Sequence, residues 1–242
     1  MNRSLSIIVP AYNESARLPE TLRRIEEYFT QTHWDFHEIV VVDDGSTDAT
    51  AAAAETFAAH NPNIRVLRNP GNRGKGYSVR HGMQEARGEW RLFSDADLSA
   101  PIEELDKLWN ELQRQGAQIA IGSRAIDRSL IGVHQPGLRE SAGKIFNAVM
   151  RVVAGLPFAD TQCGFKLFSA AAARDIFPRQ TLERFGFDVE VLFIARRFGY
   201  KTIEVPVRWN HVDGSKVSMF TGIHAFKELA DVRFNDLMGY YK

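Results

Sequence analysis

Glu38-Ile39-Val40-Val41-Val42-Asp43-Asp44-Gly45-Ser46-Thr47-Asp48 decides the architecture of this chain. Four apolar β-branched residues in succession make a strand with no polar face, and such strands are buried on both sides in a parallel sheet. The acids and glycine after Val42 end the strand in a turn. The alanine-rich run over residues 48–60 then reads as a helix, with Ser46 or Thr47 as its N-cap. Two local readings of Asp43 and Asp44 stand side by side. One is an Asx-type turn with a helix cap; the other is a carboxylate that accepts hydrogen bonds from a nucleobase or a ribose.

The same unit recurs on either side. Upstream, Leu5-Ser6-Ile7-Ile8-Val9 is a strand that stops at Pro10, and Leu18, Leu22, Ile25 and Phe29 follow at helical spacing. Downstream, residues 64–67, 90–93 and 118–121 read as strands, with helices over 77–86 and 102–115 between them. This alternation predicts an α/β fold with a mostly parallel central sheet and helices on both faces. Ligands of such sheets bind beyond the carboxyl ends of the strands. The segments after Val9, Val42, Leu67, Phe93 and Ile121 are therefore expected to line one crevice, and they are rich in acids, glycines and polar groups.

Composition narrows the function. The 242 residues are 44% hydrophobic and 25% charged, as in a soluble globular protein with one sizeable core. Thirty basic residues balance thirty acidic ones, so no nucleic-acid partner is expected. Cys163 is the single cysteine, which excludes an internal disulfide and favours a reducing cytoplasm. The start of the chain does not read as a secretory leader. The longest apolar candidate, residues 145–159, is interrupted by Asn147, Arg151, Gly155 and Pro157. The chain is thus expected to lie against the inner face of a membrane, if it meets one, rather than to cross it.

Asp95 and Asp97 follow a buried strand and flank one alanine. Carboxylates this close repel each other unless a cation sits between them, and oxygen ligands suit Mg2+ or Mn2+ with phosphate completing the shell. The plainer alternative is a pair of acids capping the helix that begins near Pro101. Asn72-Arg73-Gly74-Lys75-Gly76 resembles a phosphate loop in composition alone. It is not a Walker A loop, and Val79 stands where a dinucleotide fingerprint needs its third glycine.

Taken together, Val9-Pro10-Ala11-Tyr12-Asn13-Glu14, Asp43-Asp44-Gly45-Ser46, Asn72 to Gly76 and Asp95-Ala96-Asp97 resemble glycosyltransferase family 2, whose fold is GT-A. Gly122-Ser123-Arg124, Asp160 to Phe168 and Phe187-Asp188-Val189-Glu190 are similar to dolichyl- and polyprenyl-phosphate β-glucosyltransferases. The resemblance spans residues 4–217 and implies a role for each matching residue. Pro10, Tyr12, Glu14 and Asp44 would hold the nucleoside, with Asp44 facing the base and Lys75 near the ribose or phosphates. Asp95 and Asp97 would hold Mg2+ or Mn2+, with Asp97 the more direct ligand. Arg124 and Arg139 would bind the acceptor phosphate, a task suited to the planar guanidinium fork. Ser99 departs from the pattern, since related mannosyl-transferring enzymes carry glutamine there.

The resemblance implies an inverting transfer of a hexose, glucose from UDP-glucose, onto a polyprenyl phosphate at a membrane surface. A hydroxyl acceptor is the alternative, and it would need Asp188 or Glu190 as base. A nucleotidylyltransferase and a non-catalytic nucleotide-sugar binding module are the rival classes. Residues 1–216 are expected to form the catalytic domain. Residues 217–242, with Met219, Ile223, Phe226 and Ala230 at helical spacing, are expected to form an amphipathic segment that meets lipid or a second subunit, or packs on its own core.

Overall fold

The computed structural model of the protein describes residues 3–133, 154–211, 228 and 230–242. Strand β1 (Ser4–Ala11), helix α1 (Leu18–Gln31), β2 (Phe36–Asp43), α2 (Thr50–His60), β3 (Ile64–Arg68), α3 (Lys75–Glu85), β4 (Trp90–Ser94), α4 (Glu104–Gln115) and β5 (Ile119–Ser123) alternate as the sequence predicts. Then come β6 (Ile131–Val133), β7 (Phe165–Ser169), α5 (Ala170–Ile176), α6 (Phe187–Arg197), β8 (Thr202–Pro206) and β9 (Trp209–Asn210). The main sheet runs β3-β2-β1-β4-β7-β5-β8, and β6 pairs with β9 in a small second sheet. All main-sheet pairings are parallel except those of β7, which runs antiparallel to both β4 and β5.

Alternation along β1 divides the core. Leu5, Ile7 and Val9 pack with Leu18, Leu22 and Ile25 of α1 and with Leu105, Leu108 and Leu112 of α4. Ile8 faces the other way, against Val79 and Met83 of α3, with Ala172, Ile176 and Val189 from α5 and α6 in the same layer. Gly82 of α3 sits so close to the sheet that an added Cβ would meet Ile8 and Val42. Two helical layers thus clamp the sheet and leave its carboxyl edge free to carry loops.

Two local expectations change. Neither Ser46 nor Thr47 caps α2; Asp48 instead accepts the Thr50 N–H at 2.9 Å. Helix α4 begins at Glu104, beyond the reach of Asp95 and Asp97 as caps. At the far end, helical residues 230–237 pack on the body of the protein, with Val232 and Tyr241 buried in the α3–α6 layer. Phe234, Leu237, Met238 and Tyr240 remain exposed there. Met219, Ile223 and Phe226, together with the part of the apolar stretch 145–159 that precedes Ala154, lie outside the described residues.

Candidate active site

The first two turns at the carboxyl edge are laced together. The Asp44 N–H donates to the Ala11 carbonyl at 2.8 Å. Asn13 takes a positive φ of 53°, which asparagine tolerates. There its N–H reaches Ser46 Oγ, and its side-chain oxygen accepts the Thr47 N–H. The Glu14 N–H donates to Thr50 Oγ1, and the Glu14 carboxylate pairs with Arg17 at 3.2 Å. Pro10, Tyr12 and Glu14 therefore sit on a braced turn, each partly exposed.

Asp44 does something the sequence did not show. Its carboxylate, 4% exposed, accepts Asn69 Nδ2 at 2.8 Å and the backbone N–H groups of Arg73 and Gly74 at 3.0 and 2.8 Å. The acid expected to face a base is engaged by the protein in folding the next loop. The N–H groups of Gly76 and Tyr77, at the start of α3, bond the carbonyls of Arg184 and Glu183. Gly74 has φ 114°, and a Cβ there would strike the Glu183 carbonyl, so that loop must be glycine. With four amides of residues 73–77 spent inside the protein, this segment is no phosphate nest. The Lys75 side chain is not spent in this way and turns instead to Asp95.

Asp95, Asp97 and Lys75 meet at the end of β4. Lys75 Nζ lies 2.6 Å from Asp95 Oδ1, and both side chains are partly exposed. The Asp95 N–H donates to the Gly164 carbonyl, and a Cβ on Gly164 would overlap the Asp95 carboxylate. The turn closes with Leu98 at φ 46°, a conformation leucine rarely adopts, held by a side chain that is itself buried. The Ser99 N–H then donates to Asp97 Oδ1 at 2.9 Å. Ser99 thus orients Asp97 through its backbone. Burial, and after it the negative charge of Asp95, push the Asp97 carboxyl above its ordinary value. Burial opposes the charge on Lys75, yet Asp95 and Asp188 together hold its ammonium above the usual lysine value.

Deeper in the same region lie two ion pairs, one fully buried and one half-buried. Lys166, in the middle of β7 and 0% exposed, bonds Asp188 Oδ1 and, at 2.6 Å, the Cys163 carbonyl. Asp188 is 2% exposed; burial raises its carboxyl, and Lys166 and Lys75 pull against that rise. Arg124 grips Asp160 with both prongs, Nε to Oδ2 at 2.6 Å and Nη2 to Oδ1 at 2.8 Å. Burial would lift the Asp160 carboxyl, but Arg124 brings it down to about 2. Burial raises the Cys163 thiol to about 12, so it stays protonated.

Glu190 stands apart from this chemistry. It is fully buried and accepts the N–H and Oγ1–H of Thr181, the N–H of Leu182 and the Tyr241 hydroxyl. A carboxylate so wrapped fastens a loop. Arg139 lies outside the described residues. Lys166, Asp160 and Gly164 stood in the sequence within a matching segment, Asp160 to Phe168, but without roles of their own. Their signal was a charged residue within an apolar strand and an acid and glycine in the loop before it.

The structure thus offers two neighbouring carboxylates at a sheet edge, a lysine beside them and an arginine–aspartate clamp near by. Among the described residues, no three His, Cys, Asp or Glu side chains gather as a metal site. Asp95 and Asp97 fit an ion that takes its remaining ligands from water and phosphate. Residues 6–177 match the model of Glycosyl transferase family 2. The chain belongs to that family.

The family 2 chain is 35% identical over 253 residues to a dolichyl-phosphate beta-glucosyltransferase of Dictyostelium discoideum, covering all of this chain and 77% of the relative. With the dolichyl-phosphate beta-glucosyltransferase of Drosophila melanogaster it is 40% identical over 228 residues, covering 89% of this chain and 70% of the other. Among solved structures it is similar to glucosyl-3-phosphoglycerate synthase of Mycobacterium tuberculosis, in complex with Mn2+, UDP and phosphoglyceric acid. That match has a TM-score of 0.67 at 18% identity and covers 95% of this chain and 78% of the other. The structural likeness establishes the GT-A α/β fold of this glycosyltransferase. No described helix is long and apolar enough to cross a membrane.

Proposed function

We propose that this glycosyltransferase moves a glucosyl group from UDP-glucose to a polyprenyl phosphate at a membrane surface, with inversion at the anomeric carbon and in a Mg2+- or Mn2+-dependent manner. The observation that carries the reading is the state of the acids around the site. Glu190 is enclosed by four protein donors, and Asp188 is paired with Lys166. An acceptor that brings its own anionic oxygen needs neither as a base. The names of the relatives agree with such an acceptor.

In this reading Asp95 and Asp97 hold the cation, which would neutralise the diphosphate as it leaves. Ser99 keeps Asp97 oriented, and Lys75 supplies positive charge beside it. Arg124 remains cationic at any working pH, because Asp160 raises its pKa against the effect of burial. Two of its five side-chain N–H donors are spent on Asp160, and among the described residues the others have no such partner, so that they can serve the acceptor phosphate. A phosphate oxygen attacks the anomeric carbon as the bond to the diphosphate oxygen breaks, and the electron pair departs with the diphosphate. An α-linked donor therefore gives a β-linked product. Arg139 completes the acceptor clamp in this proposal.

A second reading, with a hydroxyl acceptor, draws on one observation: burial raises the Asp188 carboxyl towards the range of a base. One experiment separates the two. The protein is incubated with UDP- and GDP-sugars, Mn2+ and either a short polyprenyl phosphate or the matching alcohol, and lipids are identified by mass spectrometry. The expected product is glucosyl polyprenyl phosphate from UDP-glucose alone. Glycosylated alcohol would transfer the assignment to the hydroxyl reading. Absence of nucleoside diphosphate release with every donor would refute catalysis.

A further inference from the structure

The Lys75–Asp95 pair has a meaning beyond diphosphate binding. Its ammonium stands 2.6 Å from a carboxylate that the cation also requires. Two positive centres cannot share one carboxylate oxygen at such a distance without strong repulsion. The other cations of the region are otherwise engaged among the described residues: Arg124 is clamped to Asp160, and Lys166 is buried on Asp188. Lys75 is different. It is the first residue of α3, its side chain is partly exposed, and its four-carbon stem carries a compact charge that can swing.

Asp95 is not the single attraction on it. The Asp188 charge acts on Lys75 from the inner side, and the Phe93 ring lies under both lysines, 5.9 Å from Lys75 Nζ and 5.0 Å from Lys166 Nζ. The amides of residues 73, 74, 76 and 77 are used up by Asp44, Glu183 and Arg184. An incoming diphosphate therefore finds the Lys75 ammonium as the mobile positive group of this loop.

We infer that Lys75 is a resident counter-ion that occupies Asp95 in the donor-free protein, and that the donor's diphosphate draws it off and opens Asp95 to the divalent cation. The inference rests on the metal-and-donor reading given above. Its consequence is coupling: the protein alone binds the metal weakly, nucleoside diphosphate strengthens that binding, and by reciprocity the metal strengthens nucleotide binding. Metal without donor is kept off the site by a group that later serves the donor.

The test measures metal binding and needs no turnover. Free Mn2+ is followed by electron paramagnetic resonance during titration of the full chain, with and without UDP. The proteins are wild type, Lys75→Gln, Lys75→Arg and Arg73→Gln, each checked for folding by circular dichroism. Lys75→Gln should tighten Mn2+ binding without UDP by roughly fivefold, the size of a partly exposed ion pair. It should also shrink the enhancement caused by UDP. Lys75→Arg keeps the charge and should keep the weak binding. Arg73, two residues before Lys75, pairs with Glu183, so Arg73→Gln removes one positive charge while sparing Asp95; its Mn2+ affinity should match wild type. Equal Mn2+ affinity in wild type and Lys75→Gln overturns the inference, as does equal tightening by Arg73→Gln, which would make net charge the cause. Absence of Mn2+ binding by wild type even with UDP would instead overturn the metal reading on which it rests.

Discussion

At the scale of single residues, the site depends on carboxylates whose surroundings assign them different tasks. Asp97→Asn removes the charge that burial and Asp95 make costly in the free protein. Stability should hold or rise slightly, while transfer falls at least about a hundredfold, as for loss of an electrostatic stabiliser of the transition state; steady-state release of UDP measures this. Gly164→Ala is the complementary probe, because its new methyl would displace the Asp95 carboxylate. Activity should drop by roughly tenfold or more, on the expectation that small misplacements cost about that much, with the far-ultraviolet spectrum unchanged. Asp160 supplies the pH dependence. Its folded pKa is about 2 against an ordinary 3.8, so its contribution is complete above pH 4 and disappears as the pH falls towards 2. Urea midpoints should decline over that window in wild type. In Asp160→Asn the midpoint should be lower at neutral pH, to an extent equivalent to about 2 kcal/mol of stability, and flatter across the window. Little of this was legible locally. Asp95 and Asp97 stood out by spacing, but Asp44's hold on the 73–74 amides and Asp188's on Lys166 join residues 29 and 22 positions apart.

At the scale of elements, β1 to β5 were readable because each is an apolar run between turn residues, and their ends fall within about two residues of the expected ones. Strand β7 was not read, since Lys166 interrupts its apolar run and is tolerated only through a partner on α6. On helix α6, Asp188 and Glu190 were legible only as candidate bases for a hydroxyl acceptor. Through Thr181 and Leu182, Glu190 bonds the loop whose carbonyls at 183 and 184 grip the start of α3. Glu190→Gln replaces one acceptor oxygen with a donor that faces other donors. It should cost about 2 kcal/mol of stability and raise the donor KM several-fold while kcat changes little. A collapse of kcat at constant KM would identify Glu190 as a base instead. Stopped assays over a range of UDP-glucose concentrations separate the outcomes.

At the scale of the whole molecule, the chain closes on itself. Tyr241 near the C-terminus bonds the same Glu190, and the α3–α6 layer takes in Val232. Of the amphipathic segment expected over residues 217–242, the described part buries Val232 and Tyr241 on the body of the protein; the pattern alone shows that a helix has an apolar face and not what covers it. Tyr241→Phe should lower the thermal midpoint by about 2–4 °C, the equivalent of one lost hydrogen bond in a chain of this size. The antiparallel strand β7, wedged between β4 and β5, also constrains the order of events in the cell. Until it emerges from the ribosome, β4 is a bare edge and β5 has neither of its hydrogen-bonded neighbours. Nascent chains stalled with 160 residues outside the exit tunnel should be cut by protease within residues 119–123, whereas those extended through residue 211 should resist. A chaperone that shields open sheet edges would then engage the shorter chains and release the longer ones, so maturation of this enzyme waits on its later half.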